Sequence, residues 1–419
     1  MLSVPRTIGH RLTRMTGRDP RERGRSATNL ELFYDLVFVV AFSTAGAQVA
    51  QQLAAGQYQA AVLGYVFCTF AAIWAWMNFA WFASAFEIDD WFFRLVTLVQ
   101  MIGVSIIALG MPEVFTSLVH HEHVNNRVLV IGYIVMRIGM IAQWLRAAVQ
   151  SPEHRRACLI YATMTVLAQI GWVAVLIADM RPYATLFGVL GCIAIELLGP
   201  ILAECTTGGT PWHPHHIAER YSLLTIITLG EGVVGTVAVL GALIETQGWS
   251  WDTGILGLAA MTTTFAMWWM YFGVPVGDAL HHDRGKGLWW GYSHVGIFIG
   301  AAAVGAGLHV GALWIEGEAK IGPGQVVATL AIPLGVYCLG VLAMYDLLLP
   351  FEPLTIIEAA GVVALLVASV WLAAAGVSVI GAVVIAALAP VFVVVLDETV
   401  GVRRRARAMA CLGVDATVK

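Results

Sequence analysis

Runs of apolar residues about twenty long, broken by short polar stretches, recur along almost the whole chain. They fall at roughly 30–53, 59–85, 92–112, 126–149, 157–179, 183–203, 219–243, 251–274, 288–314, 324–345, 355–375 and 377–397. About 20 mostly apolar residues in a helix cross the hydrocarbon of a bilayer. The pattern therefore predicts an all-α, polytopic transmembrane bundle of about twelve spans. The first run is not a cleavable signal peptide, because it starts late and Glu31 and Asp35, rather than a basic region, stand at its start.

Composition agrees. Of 419 residues, 59% are hydrophobic and 12% charged, against roughly 45–50% and 25% in soluble domains. The net charge of −4 lacks the basic excess of a nucleic-acid binder. Six cysteines without CxxC spacing, most of them inside apolar runs, read as small buried hydrophobes.

Charge orients the spans. Residues 1–28 form a basic tail with Arg6, Arg11, Arg14, Arg18, Arg21, Arg23 and Arg25. With this tail in the cytoplasm, Arg146, Arg155, Arg156, Arg284 and Lys286 fall on the same side. An even span count adds Arg403, Arg404, Arg405 and Arg407, leaving Arg127, Arg181 and Lys320 opposite. That is the asymmetry of the positive-inside rule, and it places both termini in the cytoplasm of an inner (plasma) membrane. The tail suits either an anionic lipid surface or plain solvation. Span 7 echoes span 1, each opening with a Glu followed two residues later by an aromatic (Glu31 and Phe33, Glu219 and Tyr221). Span 8 likewise echoes span 2 in Trp268 and Tyr271 against Trp76 and Phe79. The resulting map is a tail 1–28, a six-helix half 29–204, a His-rich cytoplasmic loop 205–218, a second six-helix half 219–398, and a basic tail 399–419. An even separation makes the two halves parallel repeats.

Ionisable residues at membrane depth are costly and mark protein interiors or wet paths. Arg137 stands mid-span and stays protonated, so it requires a carboxylate, with Glu231 and Glu196 at comparable depth. Glu31 and Asp35 share one helical face by i,i+4 spacing. Arg220, Thr228 and Glu231 form a polar stripe on span 7, and His294 lies early in span 9. The bland reading is buried ion pairs, with Thr28 or Asn29 capping span 1. The functional reading is an ion path, with Glu231 as the coupling acid because glycines surround it and burial opposes a neighbouring Arg.

Trp76, Phe79, Trp268 and Tyr271 are candidates for an aromatic lining or for an interfacial belt. His120-His121-Glu122-His123 and His213-Pro214-His215-His216 fall on opposite sides and lack structural zinc spacing, so no metal site is assigned. Glu87, Asp89 and Asp90, followed by Arg94, offer paired acids for Mg²⁺ and a diphosphate; Mg²⁺ is the one cofactor considered, and only for an enzyme.

The stretches Asn29-Leu-Glu-Leu-Phe-Tyr-Asp-Leu, Trp76-Met-Asn-Phe-Ala-Trp-Phe with Phe86-Glu-Ile-Asp-Asp-Trp, Glu196-Leu-Leu-Gly-Pro and His216-Ile-Ala-Glu-Arg-Tyr resemble the bacterial low temperature requirement A family. The resemblance implies a polytopic inner-membrane protein in a family named for growth in the cold, and no known reaction. Glu196 stands where Asp is more usual, and Gly273 where an acid is often found. The Phe33-x-Asp35 start is also similar to that of lysosomal potassium channels, although Leu223 replaces the Asp in span 7. Three functions follow as expectations. The first is a transporter or channel for an unidentified ion or small solute, with proton coupling as one form of it. The others are an intramembrane enzyme acting on a lipid or isoprenoid, and a stress-related scaffold. The partners expected are the bilayer and that solute, with a possible homo-oligomer and no nucleic acid.

Overall fold

Each apolar run forms one long helix, since a backbone in lipid must satisfy its own hydrogen bonds. The computed structural model describes residues 12–22, 24–120, 124–178, 182–206, 208–402, 406 and 410. Arg6, Arg11, Arg23, His121, Glu122, His123, Arg181, Arg403, Arg404, Arg405, Arg407 and Cys411 lie outside the described residues.

The helices are α1 (Asn29–Ala54), α2 (Tyr58–Phe86), α3 (Trp91–Val119), α4 (Arg127–Gln150), α5 (Arg155–Ala178), α6 (Pro182–Thr206), α7 (Pro214–Gln247), α8 (Trp251–Tyr271), a short α9 (Val276–His282), α10 (Gly287–Ile315), α11 (Pro323–Leu348), α12 (Leu354–Ala374) and α13 (Val379–Leu396). Twelve are long and apolar enough to cross a membrane, and no strand occurs among the described residues. Short connections make successive spans antiparallel, so the starts of α1, α3, α5, α7, α10 and α12 share one face, termed here the N-side.

Local chemistry sets the helix ends. Thr28 accepts from the Glu31 N–H while the Glu31 carboxylate reaches back to the Thr28 N–H at 2.8 Å, a capping box. His213 caps α7, with Pro214 in its first turn, where the missing N–H costs nothing. The helix thus starts at Pro214, inside the segment 205–218 expected to be loop, and His215 and His216 are helical.

Packing pairs recur along the chain. Contacts α1–α2, α1–α3, α3–α4, α4–α5 and α5–α6 have counterparts in α7–α8, α7–α10, α10–α11, α11–α12 and α12–α13. Glycines let the tightest pairs meet backbone to backbone, as is usual where no hydrophobic drive separates helix from lipid. A Cβ on Gly132 would stand 2.5 Å from the Ile107 nitrogen, joining α4 to α3, and one on Gly307 would stand 2.5 Å from the Thr329 oxygen, joining α10 to α11. A Cβ on Gly305 would collide with the Glu231 carbonyl, which places α10 hard against α7. Leu109, Val149, Leu258 and Val367 point outward and form the lipid-facing surface. The interior is aromatic, with Trp74, Trp76, Phe79, Tyr221 and Trp290 all buried.

The expectation of a lipid-bound or solvated N-tail fails over its described part. Residues 12–22 and 24–28 strap across the N-side. Thr13 N–H donates to Asp90, Met15 N–H to Gln150, Arg18 N–H to the Ala85 carbonyl, and Ala27 N–H to Glu219. Met15 is fully buried. The tail lacks helical periodicity, but its arginines find acids and carbonyls on the bundle.

Candidate functional site

The buried charges do not share one central stripe. They separate into three groups.

The first group joins α1 to α7 near the N-side. Arg220 donates Nη1 to Glu31 at 2.7 Å and Nη2 to Asp35. Trp76 Nε1, on α2, donates to the same Asp35 oxygen at 2.6 Å. His216 Nε2 stands 3.2 Å from Glu31. Glu31, Asp35, Arg220 and His216 are at most 1% exposed. The i,i+4 spacing of Glu31 and Asp35 presents both carboxylates to one guanidinium, which the four-residue step from His216 to Arg220 sets beside them. Asp35 Oδ2 and His216 Nδ1 are buried without a hydrogen-bond partner. Two carboxylates thus face one permanent cation and one imidazole. Sequence reading missed His216 by leaving it in a loop; the signal available was Pro214 at a helix start.

The second group ties the first half together. Arg137 Nη2 donates to Glu196 Oε2 at 2.5 Å and to the Tyr133 hydroxyl. Trp74 and Trp172 indoles donate to the two Glu196 oxygens at 2.5 and 3.3 Å. The partner of Arg137 is Glu196 and not Glu231. One cation and one anion balance here, and the Glu196 carboxylate is filled by donors.

The third group is Glu231, half-buried and midway along α7. Ser43 Oγ of α1 donates to it at 2.5 Å, and Gly46 lies under its other oxygen. No Arg, Lys or His comes within ion-pair distance of it among the described residues. Ser43 lies eight residues beyond Asp35, about 12 Å along α1. Thr228 is on the same side of α7, but its hydroxyl donates to the Thr225 carbonyl at 2.9 Å, so it offers no free donor to a path.

The remaining candidates fall elsewhere. His294 Nδ1 faces the Trp290 carbonyl at 2.8 Å and Nε2 the Tyr271 hydroxyl at 2.9 Å. A carbonyl only accepts, so Nδ1 carries a proton. Its ring packs on Tyr221 and Phe298, in an aromatic layer beside the first group. Trp76 and Phe79 are fully buried, but Trp268 is 41% exposed. The four aromatics therefore do not line one cavity: Trp268 faces outward because α8 lies at the edge of the bundle, against α7 and α13.

The acid run binds cations of the protein itself. Glu87 meets Arg18 at 3.2 Å, Asp89 meets Arg94 at 2.7 Å, and Asp90 meets Arg146 at 2.5 Å. Asp90 also caps α3 through the Phe93 N–H. Burial pushes the Asp90 carboxyl up, but Arg146 and the Phe93 and Thr13 N–H groups outweigh it and hold the group below its ordinary value. Glu87 behaves oppositely. Burial, then the Glu31 charge, raises it to about 7 against the pull of Arg18 and Arg25. Each acid thus pairs with a different arginine. Among the described residues no group of three His, Cys, Asp or Glu is placed to hold a metal.

Comparison with known proteins adds the family. The profile of bacterial low temperature requirement A protein (LtrA) matches residues 26–393. An uncharacterized protein of Rhizobium meliloti (strain 1021) is 24% identical over 251 residues, which cover 58% of this chain and 57% of that protein. The chain thus spans somewhat over half the length of that relative. No solved structure matches.

Proposed function

We propose that this chain, which belongs to the bacterial low temperature requirement A family, moves an ion or small solute across the bilayer and couples the movement to a proton. One observation carries the reading: Glu31, Asp35, Arg220 and His216 are buried together with one more carboxylate than guanidinium. An uncompensated charge in a membrane interior costs several kcal/mol. One added proton, resting on Asp35 Oδ2 or His216 Nδ1, makes the group neutral, and both atoms are free to take it. The site is then a proton store whose occupancy sets how strongly α1 and α7 attract each other.

Glu231, with only a hydroxyl for company, is the second carboxylate in this reading, deeper along the same two helices. The Arg137–Glu196 pair, balanced in charge and with the Glu196 carboxylate held by Arg137, Trp74 and Trp172, acts as packing, although Arg137 Nε and Nη1 make no hydrogen bond among the described residues. The orientation follows from arginine asymmetry, with the N-side and both termini cytoplasmic. The two halves are parallel repeats, supported by the recurring packing pairs.

Purified protein in liposomes tests the reading. A proton gradient should drive movement of a cation or small solute, or a solute gradient should change internal pH. Liposomes that show neither across a panel of monovalent cations and small solutes would contradict it.

A further inference from the structure

On the N-side the strap and the second half flank an open pocket of about 600 Å³, lined by Arg21, Glu22 and Arg25 of the strap, by His213 and His215 at the start of α7, and by His281 of α9. A cavity of this size holds a small ligand, and its lining is basic. The single acid is already engaged, because both Glu22 oxygens accept from Arg18, at 2.7 and 2.9 Å. His213 does not add charge: its Nε2 donates to the Glu22 carbonyl and its Nδ1 accepts from the His216 N–H. Its role is to hold the strap against the end of α7.

Arg25 distinguishes this cavity from an ordinary basic surface. It is 9% exposed. Its Nη2 donates to the Ala83 carbonyl at 2.8 Å, and its Nη1 is buried with no partner. Arg18 repels it, and Glu31 and Glu87 attract it from a distance, but neither acid reaches ion-pair range. Nη1 is sealed from the pocket, so Arg25 acts on an occupant through its charge, which no acid among the described residues balances at ion-pair distance, rather than through that atom. The cavity also opens at the N-terminal end of α7, a 34-residue helix, where the macrodipole favours an anion. His215 and His281 face each other across its rim at 5.6 Å between ring centroids, with His215 tied to Asp278 at 2.9 Å.

We propose that this cavity is an anion site for a phosphate group, held by Arg25 at its floor and by Arg21, His215 and His281 at its rim. The negatively charged non-bridging oxygens common to inorganic phosphate and to a phosphodiester suit a cluster of cationic side chains beside a helix start. Because strap and α7 supply opposite walls, the occupant fastens the N-terminal segment across the N-side. The same chemistry is carried by a free phosphate compound and by the headgroup of an anionic phospholipid. The site stands whether or not the chain transports anything.

The test uses the full chain purified in detergent. Its thermal midpoint is measured against inorganic phosphate, with chloride at matched ionic strength as control. A saturable upward shift with phosphate is expected, and it should disappear in Arg25→Gln. Since Arg25 also anchors the strap, a His215→Ala, His281→Ala double variant serves beside it; both rings are exposed at the rim, so the fold does not depend on them, and the shift should fall at least several-fold. The measurement is then repeated in phosphatidylcholine nanodiscs with and without phosphatidylglycerol. If the occupant is a lipid headgroup, phosphatidylglycerol raises the midpoint and abolishes the phosphate shift; if it is soluble, the phosphate shift survives in both. No shift with either phosphate or phosphatidylglycerol, or a shift unchanged in both variants, would overturn the proposal.

Discussion

Arg220 and Asp35 meet through one Asp35 oxygen only, and the other oxygen is buried without a partner. Arg220 spends its second Nη on Glu31, so two carboxylates divide one guanidinium. Arrangements of this kind are unbalanced by one charge, whereas Arg137 with Glu196 is balanced. The difference separates a titratable centre from a packing bridge and leads to different outcomes on mutation.

Arg137→Ala should destabilise the protein by about 3–5 kcal/mol, because Glu196 stays buried without its cation. The double variant Arg137→Met, Glu196→Leu should recover much of that loss, since apolar residues of similar volume often replace a buried pair at little cost. Thermal midpoints of the parent, Arg137→Ala, the singles Arg137→Met and Glu196→Leu, and the double variant, all in one detergent, check this. A double variant as unstable as the sum of the singles would count against a packing role.

Glu87 supplies a pH dependence of stability on the N-side. Its folded proton affinity, about 7, lies above the ordinary carboxyl value of about 4.3. The folded state therefore binds the proton more tightly than the unfolded state. The stability it contributes is complete below about pH 4.3 and is lost as pH rises through about 7. Glu87→Gln should flatten this part of the melting profile between pH 5 and 8. A variant with the same slope as the parent would show that other groups set it.

Close approach of α7 and α10 rests on Gly305, whose missing side chain makes room for the Glu231 backbone. Gly305→Val should cost about 1–3 kcal/mol through overpacking and should shift the Glu231 carboxylate relative to Ser43. Gly296→Ala, in the same helix but facing open space, should change stability by about 0.5 kcal/mol or less. Equal effects at the two positions would contradict the packing described.

The twelve spans were legible because bilayer thickness demands a length and composition that few other helices have. That Arg137 needs a carboxylate was legible too, from its fixed charge. Its choice of Glu196 over Glu231 was not, since depth along a helix is readable from one sequence and the angular placement of six helices is not. His216 was hidden by a boundary: three histidines and a proline read as loop, while Pro214 in fact opens α7. Trp268 and Trp76 look alike in sequence, but α8 lies at the rim and α2 in the core. The strap escaped notice because its bonds run to carbonyls and side chains far along the chain, such as Ala85 and Gln150, and leave no periodic mark.

Proton-coupled flux with Asp35→Asn tests the account's centre most directly. The substitution keeps the shape and an oxygen for Trp76 and Arg220, and it removes the surplus charge, so the protein should fold at least as well as the parent. Liposomes carrying the parent should show solute-dependent proton movement that varies with pH. Those carrying Asp35→Asn should lose the proton movement and its pH dependence, and Glu231→Gln should fold acceptably and lose them as well. An Asp35→Asn protein that keeps full flux with unaltered pH dependence would contradict the claim that this buried cluster stores the coupled proton.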